Sequence, residues 1–322
     1  MDIVVYGAGS LGSLLGGALA TTHDVTLVGR ADHVAAVERD GLRVERAFDG
    51  DAGAFAPALD RTTAPRATTD GRELAADLAL VTVKAFDTDT AAADLATGEF
   101  DAVCSLQNGM GNEERLAAAC SAPVLAGTTT YGARRTDPGK VACTGVGDVV
   151  LGPAEGGESA VADRVGEAFR AAGFATTVAS DMPRRLWEKL AVNAGINAVT
   201  ALARVENGAL LDGPANDLAR AAARETARTA RAWDISLSAR AAVDAVESVA
   251  DATAANVSSM AQDRRAGRRT EVDAINGYVV DRADEHRREG STTPADEYEL
   301  DVATNRTLTR LLRAWERGEG LR

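Results

Sequence analysis

The sequence predicts an α/β protein in which an N-terminal, Rossmann-type doubly wound sheet is followed by an all-α C-terminal domain. Three observations carry that expectation. The apolar run Ile3-Val4-Val5-Tyr6 leads straight into Gly7-Ala8-Gly9-Ser10-Leu11-Gly12, strand-like and helix-like segments alternate through the first half, and strand signals stop after Val178. A chain of 322 residues also exceeds the size at which one core usually stops growing. The expected division is a dinucleotide-binding domain over 1–179 and a helical substrate-binding domain over 180–322.

Element by element, Asp2 to Tyr6 reads as a strand, Ser10 to Ala20 as a helix and Asp24 to Val28 as the second strand. Leu78 to Val83, Ala102 to Leu106 and Val124 to Thr130 are further strands, separated by helix-forming segments. From Tyr131 to Gly152 the chain is rich in Gly, Thr and Val and carries the turn signal Asp137-Pro138-Gly139. That texture predicts antiparallel additions before a helix at about 159–172. Beyond 180 the periodicity predicts helices at about 183–201, 214–233, 239–263, 271–288 and 296–317. Neither an internal repeat nor a long low-complexity linker interrupts this order.

Composition narrows the class of partner. Aspartate and glutamate number 48 against 35 lysines and arginines, a formal charge of -13, which argues against general nucleic-acid or membrane-surface binding while leaving room for a local basic pocket. Only three of the 35 cations are lysines: Lys84, Lys140 and Lys189. Such an acidic, lysine-poor surface fits salt adaptation, while GC-rich coding would favour arginine in the same way. Cys104, Cys120 and Cys143 have neither metal-ligand spacing nor an even count, and His23, His33 and His286 form no metal or triad pattern. No metal is expected. The nucleotide-type strand begins at residue 2 and no apolar run approaches ~20 residues, so the expectation is a cytoplasmic protein without a membrane span. A homodimer stays open.

The glycine loop follows a strand, opens a helix and sits in a βαβ-sized unit, the context in which Gly7, Ala8, Gly9, Ser10, Leu11 and Gly12 receive a pyrophosphate on a helix N-terminus. At the end of the second strand, where an NAD site usually places an acidic residue, the chain reads Val28-Gly29-Arg30. Arg30 could grip a 2'-phosphate, which favours NADPH over NADH; Asp32 keeps the NADH reading alive. Lys84 and Asn108 each follow an expected strand, at the carboxyl edge where open α/β sheets bind ligands, although Asn108-Gly109 is also an ordinary turn pair.

The most informative series lies in the second half. Lys189, Asn193 and Asn197 recur at i, i+4 and i+8 in a segment otherwise apolar, giving a row about 12 Å long on one helical face. Lys189 is the candidate proton donor, because burial would lower its pKa towards working pH. Asn256 and Ser259 are three apart and are expected on one face of the 239–263 helix, which Gly267 can end. Thr270 fits an N-cap completed by Asp273, placing Glu271 in a first helical turn, where a carboxylate also serves the helix dipole. Arg264, Arg265, Arg268 and Arg269 read as a solvated basic turn.

In order and spacing these motifs resemble the ketopantoate reductase (2-dehydropantoate 2-reductase) family over essentially the whole chain. The specific matches are Gln107-Asn108-Gly109-Met110-Gly111, Trp187-Glu188-Lys189-Leu190 through Asn193 to Ile196-Asn197, and Ser258 to Asp263 leading to Thr270-Glu271-Val272-Asp273 and Ile275-Asn276-Gly277. The resemblance implies Lys189 as general acid and Glu271 as the residue holding the substrate hydroxyl, beside the cofactor. It implies that Asn193, Asn197, Asn207, Asn256 and Ser259 line the substrate pocket, with Lys84 and Asn108 where cofactor meets substrate. The implied reaction is NADPH-dependent reduction of 2-dehydropantoate to (R)-pantoate, for pantothenate and coenzyme A biosynthesis. One departure is Asn197-Ala198, where the family often has Asn-Pro. Two alternatives accompany this reading: a reductase of another branched 2-oxo acid, and a non-catalytic NADP-binding sensor.

Overall fold

The computed structural model describes residues 1–288 and 300–322, which form two compact units: Met1–Gln107 with Asn112–Met182, and Asn108–Gly111 with Pro183–Arg322. In chain order the first unit contains β1 (Asp2–Tyr6), α1 (Ser10–Leu19), β2 (Asp24–Val28), α2 (Ala31–Asp40), β3 (Leu42–Arg46), β4 (Arg61–Thr63), β5 (Arg66–Thr68) and β6 (Ala75–Val81). There follow α3 (Thr88–Leu95), β7 (Glu99–Ser105), α4 (Asn112–Ala119), β8 (Val124–Thr129), β9 (Gly132–Asp137), β10 (Lys140–Gly145), β11 (Asp148–Pro153), α5 (Ala160–Ala171) and β12 (Ala175–Val178).

Eight strands make one sheet in the order β12-β11-β8-β7-β6-β1-β2-β5, parallel except where β11 runs antiparallel to β8. The central strand explains why its sequence is a continuous apolar run. Ile3 and Val5 enter one core with Leu14, Leu15 and Phe169, whereas Val4 and Tyr6 enter another with Val81, Leu95 and Leu116. Both faces are buried, as a parallel sheet flanked by helices requires. The expected antiparallel additions form as β9–β10 and β8–β11. A second, four-stranded sheet, β4-β3-β10-β9, goes beyond the expectation, because β10 pairs in parallel with β3. Local periodicity carries no signal for a pairing between segments so far apart in sequence.

The second unit is helical among the described residues. It holds α6 (Met182–Ala203, of which Pro183 onward belongs here), α7 (Gly213–Ala232), α8 (Ala239–Ala252), α9 (Ser259–Arg265), α10 (Tyr278–Arg288) and α11 (Ala303–Gly318). Small side chains let the helices approach closely. A Cβ built on Gly195 of α6 would stand 3.0 Å from the Ala219 carbonyl of α7 and 3.0 Å from Val246 of α8. The buried face of α7 carries Ala219, Ala222, Ala223, Ala227 and Ala230. Buried polar groups fix the helix ends: Glu225 accepts from the backbone N–H groups of Thr304 and Asn305, satisfying orphan donors at the start of α11. Asn276 donates to the Ala194 carbonyl and to Asn305 Oδ1.

Two local expectations are corrected. The helix expected over 239–263 is interrupted between Ala252 and Ser259. Asn207 and Gly208 donate their backbone N–H groups to the carbonyls of Asn256 and Ala254, and Ser258 caps α9 by accepting from Ala261 N–H. Asn256 and Ser259 therefore do not share a helical face. Of the expected Thr270–Asp273 capping pair only the first half forms: Thr270 Oγ1 accepts from Val272 N–H at 3.4 Å, but Asp273 does not reach back to the Thr270 N–H, which donates to Glu316. Thr270 donates its hydroxyl to buried Glu316, Asp273 accepts from Arg313 and Arg322, and the chain makes a π-helical turn over Asp273–Gly277 before α10. The expected start of the last helix at 296 lies outside the described residues.

Candidate active site

In the first unit, the glycine loop shows which position is shaped by the protein and which faces away from it. Gly7 has φ +111°, and a Cβ there would come within 2.7 Å of Val83 N. At Gly12 a Cβ would stand 2.2 Å from the Gly7 carbonyl oxygen and 2.5 Å from Thr82 Oγ1. Those two glycines are dictated by packing of the strand–loop–helix. Gly9 is different, since a Cβ there meets only the Gly7 oxygen at 3.9 Å. It is exposed immediately before Ser10 at the start of α1. Open space over a glycine at a helix N-terminus fits a pyrophosphate that must approach the backbone closely.

The neighbouring loops bring charge to this edge. Arg30 is exposed and caps the N-terminus of α2 through its backbone; Asp32 lies in that helix's first turn. Arg135, on β9, reaches within 4.0 Å of Asp32, and its backbone N–H donates to Ser10 Oγ, so a second guanidinium stands between the starts of α1 and α2. Sequence reasoning missed it. The only available signal was the pair Arg134-Arg135 in a stretch otherwise rich in small residues. His33 anchors the same region: Gly139 N–H donates to its Nδ1 at 3.0 Å, which leaves the proton on Nε2 for Ser13 Oγ at 3.0 Å. Burial, and then the Arg135 charge, lower its pKa and keep it neutral.

Lys84 is half-buried and precedes a 3₁₀ turn over Ala85–Asp87 at the carboxyl end of β6. Gln107 Nε2 braces that turn by donating to the Val83 carbonyl at 3.1 Å and to Thr88 Oγ1 at 2.8 Å. Beneath it, Glu113 is buried at the start of α4, and loss of hydration pushes its pKa up to about 7, against the lowering effect of hydrogen bonds from its own backbone N–H and Ser105.

In the second unit, Lys189, Asn193 and Asn197 all lie on α6, the first two half-buried and Asn197 buried. Lys189 keeps a little surface, yet protein surrounds it closely enough that desolvation lowers its pKa to about 8; the carboxylate of Glu271 pulls the other way. Glu271 is itself buried, just before the π-helical turn. That turn also receives the Asn108–Gly111 segment. Met110 N–H donates to the Ala274 carbonyl at 2.9 Å, and Gly109, at φ +84°, lies so close that a Cβ would stand 2.7 Å from the Ala274 oxygen. Half-buried Asn108 is thereby held near the turn that follows Glu271.

The remaining asparagines and serine sit near the far end of α6. The Ser258 and Thr200 hydroxyls pair at 2.7 Å, and Thr200 also donates to the Asn197 carbonyl at 3.2 Å, so the start of α9, with exposed Ser259, is tied one turn past Asn197. Asn207 is buried, donates through Nδ2 to Thr253 at 2.9 Å, and leaves its Oδ1 acceptor without a partner. Asn256 is exposed on the adjoining loop. An ammonium of lowered pKa, a buried carboxylate and several amides can protonate an oxyanion and bind hydroxyl and carboxylate groups.

A family model described as "Ketopantoate reductase PanE/ApbA" matches residues 3–156, and the corresponding C-terminal model matches residues 181–316. A 2-dehydropantoate 2-reductase of Halobacterium salinarum is 42% identical, over 98% of this chain and 99% of that protein. Among solved structures, a PanE/ApbA family ketopantoate reductase from Ralstonia eutropha JMP134 superposes with a TM-score of 0.84 at 29% identity, covering 99% of this chain and 100% of that one. A D-mandelate dehydrogenase in ternary complex with NADH and anilino(oxo)acetate reaches a TM-score of 0.86 over 100% of both chains, but at 22% identity the likeness is one of fold.

Proposed function

The chain belongs to the ketopantoate reductase family, and from that premise we propose that it reduces 2-dehydropantoate to (R)-pantoate with NADPH as preferred donor. The observation that carries this reading is Lys189: it is the only lysine of the second unit, shares a helical face with two asparagines, and has its pKa drawn down to about 8. At neutral pH such a group is still protonated and gives up its proton more readily than an exposed lysine.

The bound nicotinamide supplies a hydride to C2 of the ketone. Lys189 then donates its proton to the oxygen that gains the electron pair, and its charge stabilises that oxygen as it develops. Glu271 accepts the substrate's hydroxyl hydrogen bond and borders the cofactor. Asn193, Asn197, Asn207, Asn256 and Ser259 bind the remaining polar groups, with Ser259 near the carboxylate. The unpartnered Oδ1 of buried Asn207 supports that assignment, since it is an acceptor awaiting a donor. Lys84 and Asn108 serve where cofactor and substrate meet.

NADPH preference rests on Arg30 and Arg135, two guanidiniums at the start of α2 against the single carboxylate of Asp32. A 2'-phosphate paired with a guanidinium gains charge-assisted hydrogen bonds that NADH cannot make. The function is tested by following NADPH oxidation with 2-dehydropantoate beside a panel of other branched 2-oxo acids; turnover of another member in preference to 2-dehydropantoate refutes the substrate, and cofactor binding without turnover of any refutes the enzyme. Arg30→Ala should raise the KM for NADPH by about 10-fold or more while sparing that for NADH. Equal effects on the two cofactors would sink the 2'-phosphate role.

A further inference from the structure

Away from Lys189, the second unit contains a cavity of about 510 Å³ lined by Arg204, Arg264, Arg265, Trp315 and Glu319, among smaller residues. Three guanidiniums against one carboxylate is an unusual local balance in a chain of net charge -13. The basic turn expected to be solvated is in fact divided. Arg265 is exposed, but Arg264 is half-buried, stacks its guanidinium 5.5 Å from the Trp315 ring centroid, and donates through one terminal nitrogen to the Ala201 carbonyl at the end of α6.

Two features of this cluster lack a structural purpose. The Nε of Arg264 is buried with no hydrogen-bond partner, a state rarely left standing in a folded protein. Arg204 occupies the left-handed region at φ +61°, one residue past the end of α6, where glycine is the ordinary choice. Keeping arginine there holds a cation at the cavity in spite of backbone strain. Desolvation, and then the neighbouring charge of Arg204, lower the pKa of Arg264, with Glu319 only partly opposing, so the cluster repels itself when empty.

We propose that this cavity is a second anion site, built to bind a phosphate group through Arg204, Arg264 and Arg265 beside Trp315. Planar guanidinium forks match two oxygens of a phosphate, which a spherical halide cannot offer. Phosphate would accept from the guanidinium groups that line the cavity and neutralise their excess charge. The site makes no use of the nicotinamide or of Lys189, so it stands or falls apart from the reductase reading.

Trp315 supplies a direct readout. The full-length protein, with NADP⁺ saturating the glycine loop, is titrated with inorganic phosphate, with glycerol 3-phosphate and with chloride at constant ionic strength, while tryptophan fluorescence is recorded. Either phosphate species should give a saturable change that chloride does not, and the tighter of the two identifies free anion or ester as the occupant. Trp315→Phe should remove the change, leaving Trp187 and Trp233 silent. Arg204→Gly and Arg265→Ala should each weaken the apparent affinity by about 10-fold. Arg204→Gly should at the same time raise the melting temperature in phosphate-free buffer, because it relieves the strained backbone. No saturable change with either phosphate, an equal response to chloride, or a response indifferent to both arginine substitutions overturns the proposal.

Discussion

At the scale of single residues, the consequence of Lys189 is a pH dependence with a definite sign. The acid form does the work, and its pKa is lowered to about 8, so the proton is lost as pH rises through that value. Turnover should therefore hold near neutrality and fall above about pH 8, a limb that vanishes in Lys189→Ala, whose kcat should be lower by about 10²-fold or more with NADPH affinity nearly intact. A rate that keeps rising to pH 10 in the parent enzyme contradicts the assignment. Glu271 predicts a different signature. If it holds the substrate hydroxyl, Glu271→Ala should weaken 2-dehydropantoate by about 1–3 kcal/mol, largely in KM, and a 2-oxo acid lacking that hydroxyl should be indifferent to the change. Equal damage to both substrates would instead assign the carboxylate to the electrostatics of Lys189, whose pKa it helps to hold up.

At the scale of elements, the glycine loop separates folding from binding. Gly12→Ala drives a Cβ to 2.2 Å from the Gly7 oxygen and should cost folding, whereas Gly9→Ala meets nothing closer than 3.9 Å and should fold normally while losing cofactor affinity. Thermal melts and NADPH titrations of the two variants check this; a Gly9→Ala protein with unchanged affinity would mean that the pyrophosphate lies elsewhere. The contrast also shows what was legible beforehand. The loop and the Lys189–Asn193–Asn197 row were readable because both follow from local rules: strand, turn and helix in sequence, and a period close to four. The separation of Asn256 from Ser259 was not readable, because carbonyls at 254 and 256 are claimed by Asn207 and Gly208 from a distant turn. The same holds for Arg135, carried to the start of α1 by a strand paired into a sheet that no local pattern announces.

At the scale of the whole molecule, charge decides how the protein responds to salt. Its exposed ion pairs, such as Arg39–Asp40 and Arg72–Asp70, lie in high dielectric, contribute little to stability and weaken as salt rises. Against them stands the mutual repulsion of an excess of 13 negative charges, which molar salt screens to a range of about 3 Å. Contact pairs within that range lose least, while repulsion between carboxylates spread over the surface loses most. The melting temperature at pH 7.5 should consequently rise between low and molar KCl. Near the isoelectric point, about 4.8, the net charge vanishes, and with it the repulsion that salt relieves. A stabilisation that shrinks as pH falls towards 5 supports an electrostatic origin. A melting temperature that is flat or falling in KCl at pH 7.5 refutes salt adaptation, and a gain that persists undiminished near pH 5 assigns it to exclusion of salt from the protein surface rather than to charge.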